Sequence, residues 1–238
     1  MSVPLTRESL VDQIARRVTE DILTGRYPPG SLLPPERDLA AEYGVTRTSL
    51  KHTLVRLEQA GLISTRHGVG STVRDFQATG GAGLLPMLLE AGSEGWLDDV
   101  FEARRLVGAL IAREAATSMD EATETMLATS AAALSAATTA AEVQLAEADV
   151  HRLLARATGN RVFVLLTNTL IDSYLALAPL LEPAFTDIGP VTGLLARVVD
   201  AVRGRDPDAA AAASDRYLSE TGAAMGRLLH RTQTAGRD

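Results

Sequence analysis

The spacing of apolar residues predicts a chain built almost entirely of helices. An apolar residue recurs every four positions from Leu10 to Ile22, which predicts a first helix over Arg7–Leu23. The YPPG segment at 27–30 ends it, since proline and glycine break helices. Beyond residue 84 helical spacing continues, and helices are predicted at 96–118, 120–137, 140–157, 161–181, 191–203 and 207–229. Six or seven antiparallel helices form a bundle, which can hold a ligand between facing helices.

Two of these predicted helices are apolar throughout much of their length. The helix at 96–118 is expected to direct five residues toward the core: Leu97, Val100, Leu106, Leu110 and Ile111. The stretch Val162–Leu181 is the most apolar of the chain, but Asn168 and Asp172 interrupt it. It is therefore interpreted as a buried helix of the bundle and not as a membrane span.

Between these regions, residues 34–60 have the pattern of a helix-turn-helix. A short apolar face around Leu39 stops at Gly44, and Thr46 can cap a second helix. In that second helix, apolar residues recur at i, i+4 and i+7 from Leu50 to Leu57. The opposite face, at 47–52, is Arg, Thr, Ser, Lys and His, and such a face near a helix start is typical of major-groove recognition.

A short hairpin is predicted directly after this second helix. Gly61 ends the helix, 62–66 is extended, and His67-Gly68-Val69-Gly70 turns the chain into Ser71-Thr72-Val73. Glycine lets a backbone approach a sugar-phosphate edge closely, and Arg66 and His67 supply hydrogen-bond donors. The sequence therefore predicts a two-stranded wing beside the recognition helix.

Composition adds three constraints. The chain has no cysteine, which excludes disulfides, thiolate metal sites and cysteine nucleophiles and fits the cytoplasm. Residues 1–75 hold 10 Lys/Arg and 9 Asp/Glu, whereas the remainder holds 13 and 21, so the net charge of −7 comes from the second part. A monomer with so small a positive charge in this region would bind DNA weakly. A homodimer would double the phosphate contacts and is therefore favoured. No export signal is expected at the N-terminus.

The segment RYPPGSLLPPERDLAAEYGVTRTSLKHTLVRLEQAGLISTRHGVGS resembles the winged helix-turn-helix of GntR-family regulators, most closely the FadR subgroup. The resemblance implies a mainly α chain with a DNA-binding domain at 1–75, a glycine-containing linker at 76–83 and an all-helical effector and dimerisation domain at 84–232. It implies DNA contacts by Arg37, Thr46, Arg47, Thr48, Ser49 and Lys51, with His67 and Gly68 at the minor groove. Lys51 departs from the usual arginine and lacks its bidentate geometry toward guanine.

For the effector domain, the resemblance implies long-chain acyl-CoA as a ligand and no cofactor. The matching positions are Arg104, Asn168, Tyr174, Tyr217 and, in place of a serine, Thr221. Asp215 and Leu218 depart from a basic residue and a glycine, so the coenzyme phosphates are expected to be bound by Arg104, Arg105 or Arg216. The resulting prediction is a dimeric regulator of fatty-acid metabolism genes that acyl-CoA releases from a palindromic operator.

Most members of the subgroup instead bind a divalent metal through one acidic residue and three histidines, and respond to a small organic acid. Here His151 matches one histidine and Glu147 can replace the acid, but Leu195 and Tyr217 stand at the other positions. One imidazole and one carboxylate are too few for a firm metal site, so no metal is predicted. Two other functions are disfavoured. An enzyme would need a nucleophile–base pair or a carboxylate pair, and the sequence offers none beyond Glu147 and His151. A purely architectural DNA-binding protein would not explain the separate acidic helical domain.

Overall fold

A computed structural model of the chain describes residues 10–91, 95–185 and 188–235. These residues form two compact units, one up to Glu94 and one from Gly95 onward. Within the described part, no helix is long and apolar enough to cross a membrane.

The first unit is a small helical domain with a hairpin. In chain order its elements are α1 Leu10–Leu23, α2 Glu36–Glu42, α3 Arg47–Ala60, β1 Ile63–Arg66, β2 Gly70–Val73, α4 Phe76–Thr79, a 3₁₀ turn Ala82–Leu84 and α5 Leu85–Glu90. Helix α3 packs against α1 and α2 and buries Leu50, Leu54 and Leu57. The predicted winged helix-turn-helix is confirmed, whereas the predicted residues 7–9 of the first helix lie outside the described ones.

The two strands pair antiparallel, with Ile63 opposite Val73 and Arg66 opposite Gly70. A third segment joins them, because Leu32 forms a bridge to Thr72 and the Leu33 amide donates to the Ser71 carbonyl at 2.8 Å. The wing is therefore anchored at its base and has an exposed tip at residues 67–69.

The second unit is the predicted helical bundle. In chain order its helices are α6 Trp96–Ser118, α7 Glu121–Ala136, α8 Ala140–Ala157, α9 Arg161–Ala176, α10 Ala178–Leu181, α11 Ile188–Arg203 and α12 Pro207–Ala235, with a 3₁₀ turn Glu182–Phe185 before α11. Helix α12 packs along α6 and α11, while α8 packs against α6, α7 and α9. The mainly α fold class is confirmed.

The structure corrects two expectations about apolar faces. Leu106 and Leu110 were predicted to point inward, but they are 55% and 44% exposed, because α6 directs Ile111 and its alanines toward α12 and α8. The stretch Val162–Leu181 was predicted to be one buried helix. Instead α9 ends at Ala176, and Val162 is 60% exposed.

The unit boundary also differs from the predicted domain limits. The expected linker, 76–83, contains helix α4, and the segment predicted to open the effector domain at residue 84 belongs to the first unit. The reason is packing, since α5 contacts α1 and buries Met87, Leu88 and Leu89. The second unit therefore begins at Gly95 and not at residue 84.

Candidate functional site

The recognition helix begins with a local hydrogen-bonded cap. The Thr46 hydroxyl accepts a hydrogen bond from the Ser49 amide at 3.1 Å, which satisfies one of the free amides of the first turn. At the other end, Gly61 has a φ of 84°, a left-handed conformation that glycine adopts without strain. These two signals fix where α3 starts and stops, and hence which residues face outward.

Seven of the eight predicted DNA contacts are exposed at the surface of this unit. Arg47, Thr48 and Lys51 are exposed on the first turns of α3, and Ser49 is half-buried beside its cap. Arg37 is 81% exposed on α2, where its Nε donates to Asp38 at 3.0 Å. His67 and Gly68 form the exposed wing tip, and Gly68 has a φ of 77°.

The wing is held to the recognition helix by one side chain that sequence reasoning missed. The Thr65 amide donates to Glu58 Oε1 at 2.7 Å, which ties β1 to α3. Inside the hairpin, the hydroxyls of Thr65 and Ser71 lie 2.9 Å apart. The first contact fixes β1 relative to α3, and the second joins the two strands of the wing.

A second missed cluster joins α1 to α2. The Tyr43 hydroxyl donates to Asp21, whose carboxylate also pairs with Arg26 at 3.0 Å, and Arg26 pairs with Glu42. Burial and the nearby Asp21 carboxylate raise the pKa of Tyr43, so its hydroxyl stays a donor. This network orients α2, the helix that carries Arg37.

A buried group of polar side chains occupies the interior of the bundle. Glu147 on α8 is 1% exposed and pairs with Arg104 of α6, which lies 43 residues earlier. The Arg104 guanidinium also stacks 5.2 Å from the ring centre of Tyr174, and the Tyr174 hydroxyl donates to Glu147 Oε2 at 3.4 Å. Three helices thus converge on one carboxylate.

Histidine and a second tyrosine complete this group. His151 lies one turn after Glu147, with its Nε2 3.8 Å from Glu147 Oε1, and its ring centre lies 5.7 Å from that of Tyr217 on α12. Thr221, also buried on α12, donates to the Tyr217 carbonyl at 2.8 Å. The structure therefore brings together three of the predicted ligand residues, namely Arg104, Tyr174 and Tyr217, and Thr221 is buried one helical turn after Tyr217.

Charges in this interior determine the protonation of its members. Burial and the Arg104 cation lower the pKa of His151 to about 4, so its imidazole is neutral at pH 7. Burial acts to lower the pKa of Arg104, but the attraction of Glu147 outweighs it and raises that pKa. Burial, followed by the Glu147 charge, raises the pKa of Tyr174 and of Tyr217. The group is consequently one cation and one anion among neutral donors.

Several polar atoms in this interior remain unpartnered within the described residues. They are Arg104 Nη1, His151 Nε2, Thr167 Oγ1, Ser214 Oγ and the Tyr217 hydroxyl. A cavity of about 30 Å³ lies beside them, lined by Arg104, Gly108, His151 and Thr167 among others. Unpartnered buried donors around a void are the ordinary features of a polar ligand site.

The remaining predicted ligand residues lie away from this interior. Arg105 pairs with Glu102 at 2.8 Å and with Asp215, while exposed Arg216 donates to Glu220 at 2.7 Å. Asn168 is half-buried on α9. Arg105 lines a separate open groove of about 390 Å³ between α6 and α12.

Sequence reasoning also missed Gln144 and Thr167 as interior polar residues. The Gln144 amide donates to the Ala178 carbonyl at 3.2 Å, which joins α8 to α10. Gln144, Glu147 and His151 stand at i, i+3 and i+7, a single helical face, and this spacing was a usable signal. Thr167 lies within an apolar stretch, and the sequence gives no signal that its hydroxyl is an interior polar group.

Comparison with known proteins agrees with both units. Residues 10–73 match the family described as bacterial regulatory proteins, gntR family, and residues 99–220 match the FCD domain. The chain belongs to the GntR family. It is thus one of a family of DNA-binding transcription regulators, and the predicted resemblance is confirmed.

Named relatives cover both parts of the chain. It is 36% identical over 222 residues to an uncharacterised HTH-type transcriptional regulator of Mycobacterium tuberculosis, covering 93% of this chain and 92% of that one. It is 33% identical over 154 residues to the fatty acid metabolism regulator protein of Shewanella amazonensis, covering 63% of each chain. The solved structure of Lar, described as controlling the agr system of Listeria monocytogenes, has the same fold, with a TM-score of 0.58, 16% identity and coverage of 94% and 99%.

Proposed function

We propose that two copies of the chain bind a near-palindromic operator, with one α3 helix in each half-site. The support is the exposed polar face of Arg47, Thr48 and Lys51 on the first turns of α3, together with a wing whose strand β1 is tied to the last turn of α3 through Glu58. In helix-turn-helix proteins that end of the helix meets base edges, and two-fold dimers read palindromes.

The operator proposal is tested by replacing Arg47 with alanine and measuring fluorescence anisotropy on DNA from upstream of the chain's own gene. The expected loss is about 1–3 kcal/mol per half-site contact. Arg17→Ala, at an exposed arginine of α1, is the matched control and should leave the affinity within about 0.5 kcal/mol. Binding that ignores the palindrome, or equal losses in both variants, would refute the assignment.

The second copy is proposed to cover exposed apolar residues of α6 and α9. Leu106 and Leu110 stand one turn apart on α6, and Val162, Leu165 and Leu166 follow helical spacing on α9. Exposed apolar groups of this kind mark protein interaction surfaces. Leu165→Glu should yield monomers in sedimentation equilibrium, whereas Leu145→Glu, at an exposed leucine of α8, should not; the reverse result excludes the α9 surface.

Long-chain acyl-CoA is the proposed effector. Its support is the convergence of Arg104, Tyr174 and Tyr217 in the bundle, together with relatives that are named fatty acid metabolism regulators. The interior cavity of about 30 Å³ holds roughly one water, so an acyl chain must move α6, α9 and α12 apart. Each buried methylene contributes about 0.8 kcal/mol toward that separation.

Effector and operator then oppose each other by the same coupling free energy, typically about 1–3 kcal/mol. The test is a titration of operator-bound protein with acyl-CoAs of increasing length, with coenzyme A and free fatty acid as controls. We expect longer acyl-CoAs to release the operator at lower concentrations. Indifference to every acyl-CoA would end this part of the proposal without touching operator binding.

A small organic acid is the second candidate, and two unpartnered nitrogens favour it. Arg104 Nη1 and His151 Nε2 are buried beside the cavity without partners, and Arg104 Nη1 can donate to a carboxylate once the cavity has widened. We propose no resident metal in either case, because the Arg104 guanidinium already engages Glu147 and apolar Leu195 is fully buried. Near-stoichiometric zinc, nickel or manganese by elemental analysis, lost in a His151→Ala variant, would contradict this.

A further inference from the structure

We infer that the Leu218 side chain is a gate between the open groove on the bundle and its polar interior, and that it controls which ligands can enter. This inference rests on the proposed ligand site of the bundle. Of the described residues, Leu218 is the one that lines both the groove of about 390 Å³ and the interior cavity of about 30 Å³. Leu218 is 2% exposed, so this residue separates the two spaces.

Gly108 on α6 explains how Leu218 reaches this position. A Cβ at residue 108 would overlap Leu218 Cδ1 and lie 3.6 Å from Ser214 Oγ. The absence of a side chain at Gly108 therefore provides the seat for the leucine side chain. Glycine is less favourable than alanine inside a helix, and the close approach of Leu218 gives a reason for its presence here.

Charged groups of both signs lie along the route. Arg105 and Arg227 line the outer groove, although Asp98 and Glu102 also line it. In the interior cavity behind Leu218, Arg104 has one unpartnered nitrogen, Nη1, and Thr167 has an unpartnered hydroxyl. When the Leu218 side chain turns aside, the groove therefore opens onto the unpartnered nitrogen of Arg104.

Leu218 is the described residue common to the two linings, so a movement of its side chain is the smallest change that joins the two spaces. Gly222, on the wall of the groove, would place a Cβ 3.5 Å from Phe101, an ordinary contact distance. A leucine rotamer change takes far less time than the separation of packed helices. Small anions can accordingly enter by a side-chain movement, whereas a bulky ligand needs the helices to separate as well.

The chain contains no cysteine, which gives a direct test. Thr167→Cys places a single thiol at the interior cavity, and its modification by the small anion 2-sulfonatoethyl methanethiosulfonate is followed by mass spectrometry. With Leu218 intact, modification should be slow. Adding Leu218→Ala should accelerate it at least about tenfold, because the large-to-small change removes the barrier at that wall.

Two further variants distinguish gating by Leu218 from a general loosening of the bundle. Gly108→Ala displaces the Leu218 side chain without altering that residue, and should also accelerate modification. Ile171→Ala removes a side chain of the same size from the wall of the interior cavity away from the groove, and should have little effect. Fluorescence of Trp96, the single tryptophan, verifies that each variant is folded.

Equal acceleration by Ile171→Ala and Leu218→Ala would overturn the inference, as would fast modification of Thr167→Cys alone. No acceleration in either Leu218→Ala or Gly108→Ala would overturn it too. Because the reagent takes the place of the effector, these results do not depend on acyl-CoA. A positive result here with no release of operator by acyl-CoA would refute the proposed effector alone.

Discussion

Replacing Glu147 with glutamine tests whether the bundle interior depends on a buried ion pair. Arg104 is 11% exposed and Glu147 is 1% exposed at the side chain, so neither group is appreciably hydrated. The amide keeps the shape of the carboxylate but leaves the guanidinium without a countercharge. Removing one partner of a buried pair typically costs about 3–5 kcal/mol, and the lost acceptor of the Tyr174 hydroxyl adds to this.

Urea unfolding followed by Trp96 fluorescence reports on this unit, because Trp96 is the single tryptophan and opens helix α6. Glu220→Gln is the matched control: Glu220 pairs with exposed Arg216 at 2.7 Å, and its loss should cost less than about 1 kcal/mol. The double variant Arg104→Met/Glu147→Leu should regain most of the stability, since it buries no lone charge.

The reasoning fails if Glu147→Gln and Glu220→Gln lower the urea midpoint equally. It also fails if the double variant is as unstable as Glu147→Gln, since the loss would then come from packing and not from an uncompensated cation. The change in midpoint is interpretable only if the slope of unfolding free energy against urea stays constant.

Three further outcomes concern single residues. Because the pKa of His151 is lowered to about 4 from 6.5, the unfolded chain binds the extra proton between these values. Stability of the second unit should therefore fall by roughly 3 kcal/mol as pH drops through that window, and His151→Gln should abolish this slope in urea midpoints. Gly61→Ala should destabilise the first unit by about 1–2 kcal/mol, seen as a lower midpoint in thermal unfolding by circular dichroism, since φ there is 84°. Gly193→Ala, exposed within α11 with open space around it, should instead raise the midpoint by about 1 kcal/mol or less.

Local signals explain why the DNA-binding unit was predictable. The cap at Thr46 and the left-handed Gly61 bound the recognition helix within the chain itself, so its outward residues follow from helical spacing alone. The bundle helices were likewise bounded by short-range signals, such as the Asp206-Pro207 start of α12 and the capping box of Thr139 and Glu142.

What the sequence could not supply depends on partners that are distant along the chain. Leu106 and Leu110 have the spacing of a core face, and only the positions of α8 and α12 show that α6 turns a different side inward. The pairing of Arg104 with Glu147 is likewise a tertiary fact, as is the packing of α5 on α1 that moved the unit boundary. Helical spacing specifies a face but not the neighbour that covers it.

On the proposed function, the binding of a long acyl chain in the bundle requires the helices to move. Arg104 already pairs with Glu147, so an anionic ligand would have to share its guanidinium with that carboxylate. The ligand would also add a second negative charge to a buried interior, which is unfavourable. His151 is neutral there and offers no compensating cation at pH 7. A ligand therefore gains little by polar contacts while the bundle stays closed, and its affinity is reduced by the fraction of molecules in the open form. An acyl chain overcomes that reduction through the apolar surface it buries, which is why the strength of release should follow the length of the chain and not the charge of its head group.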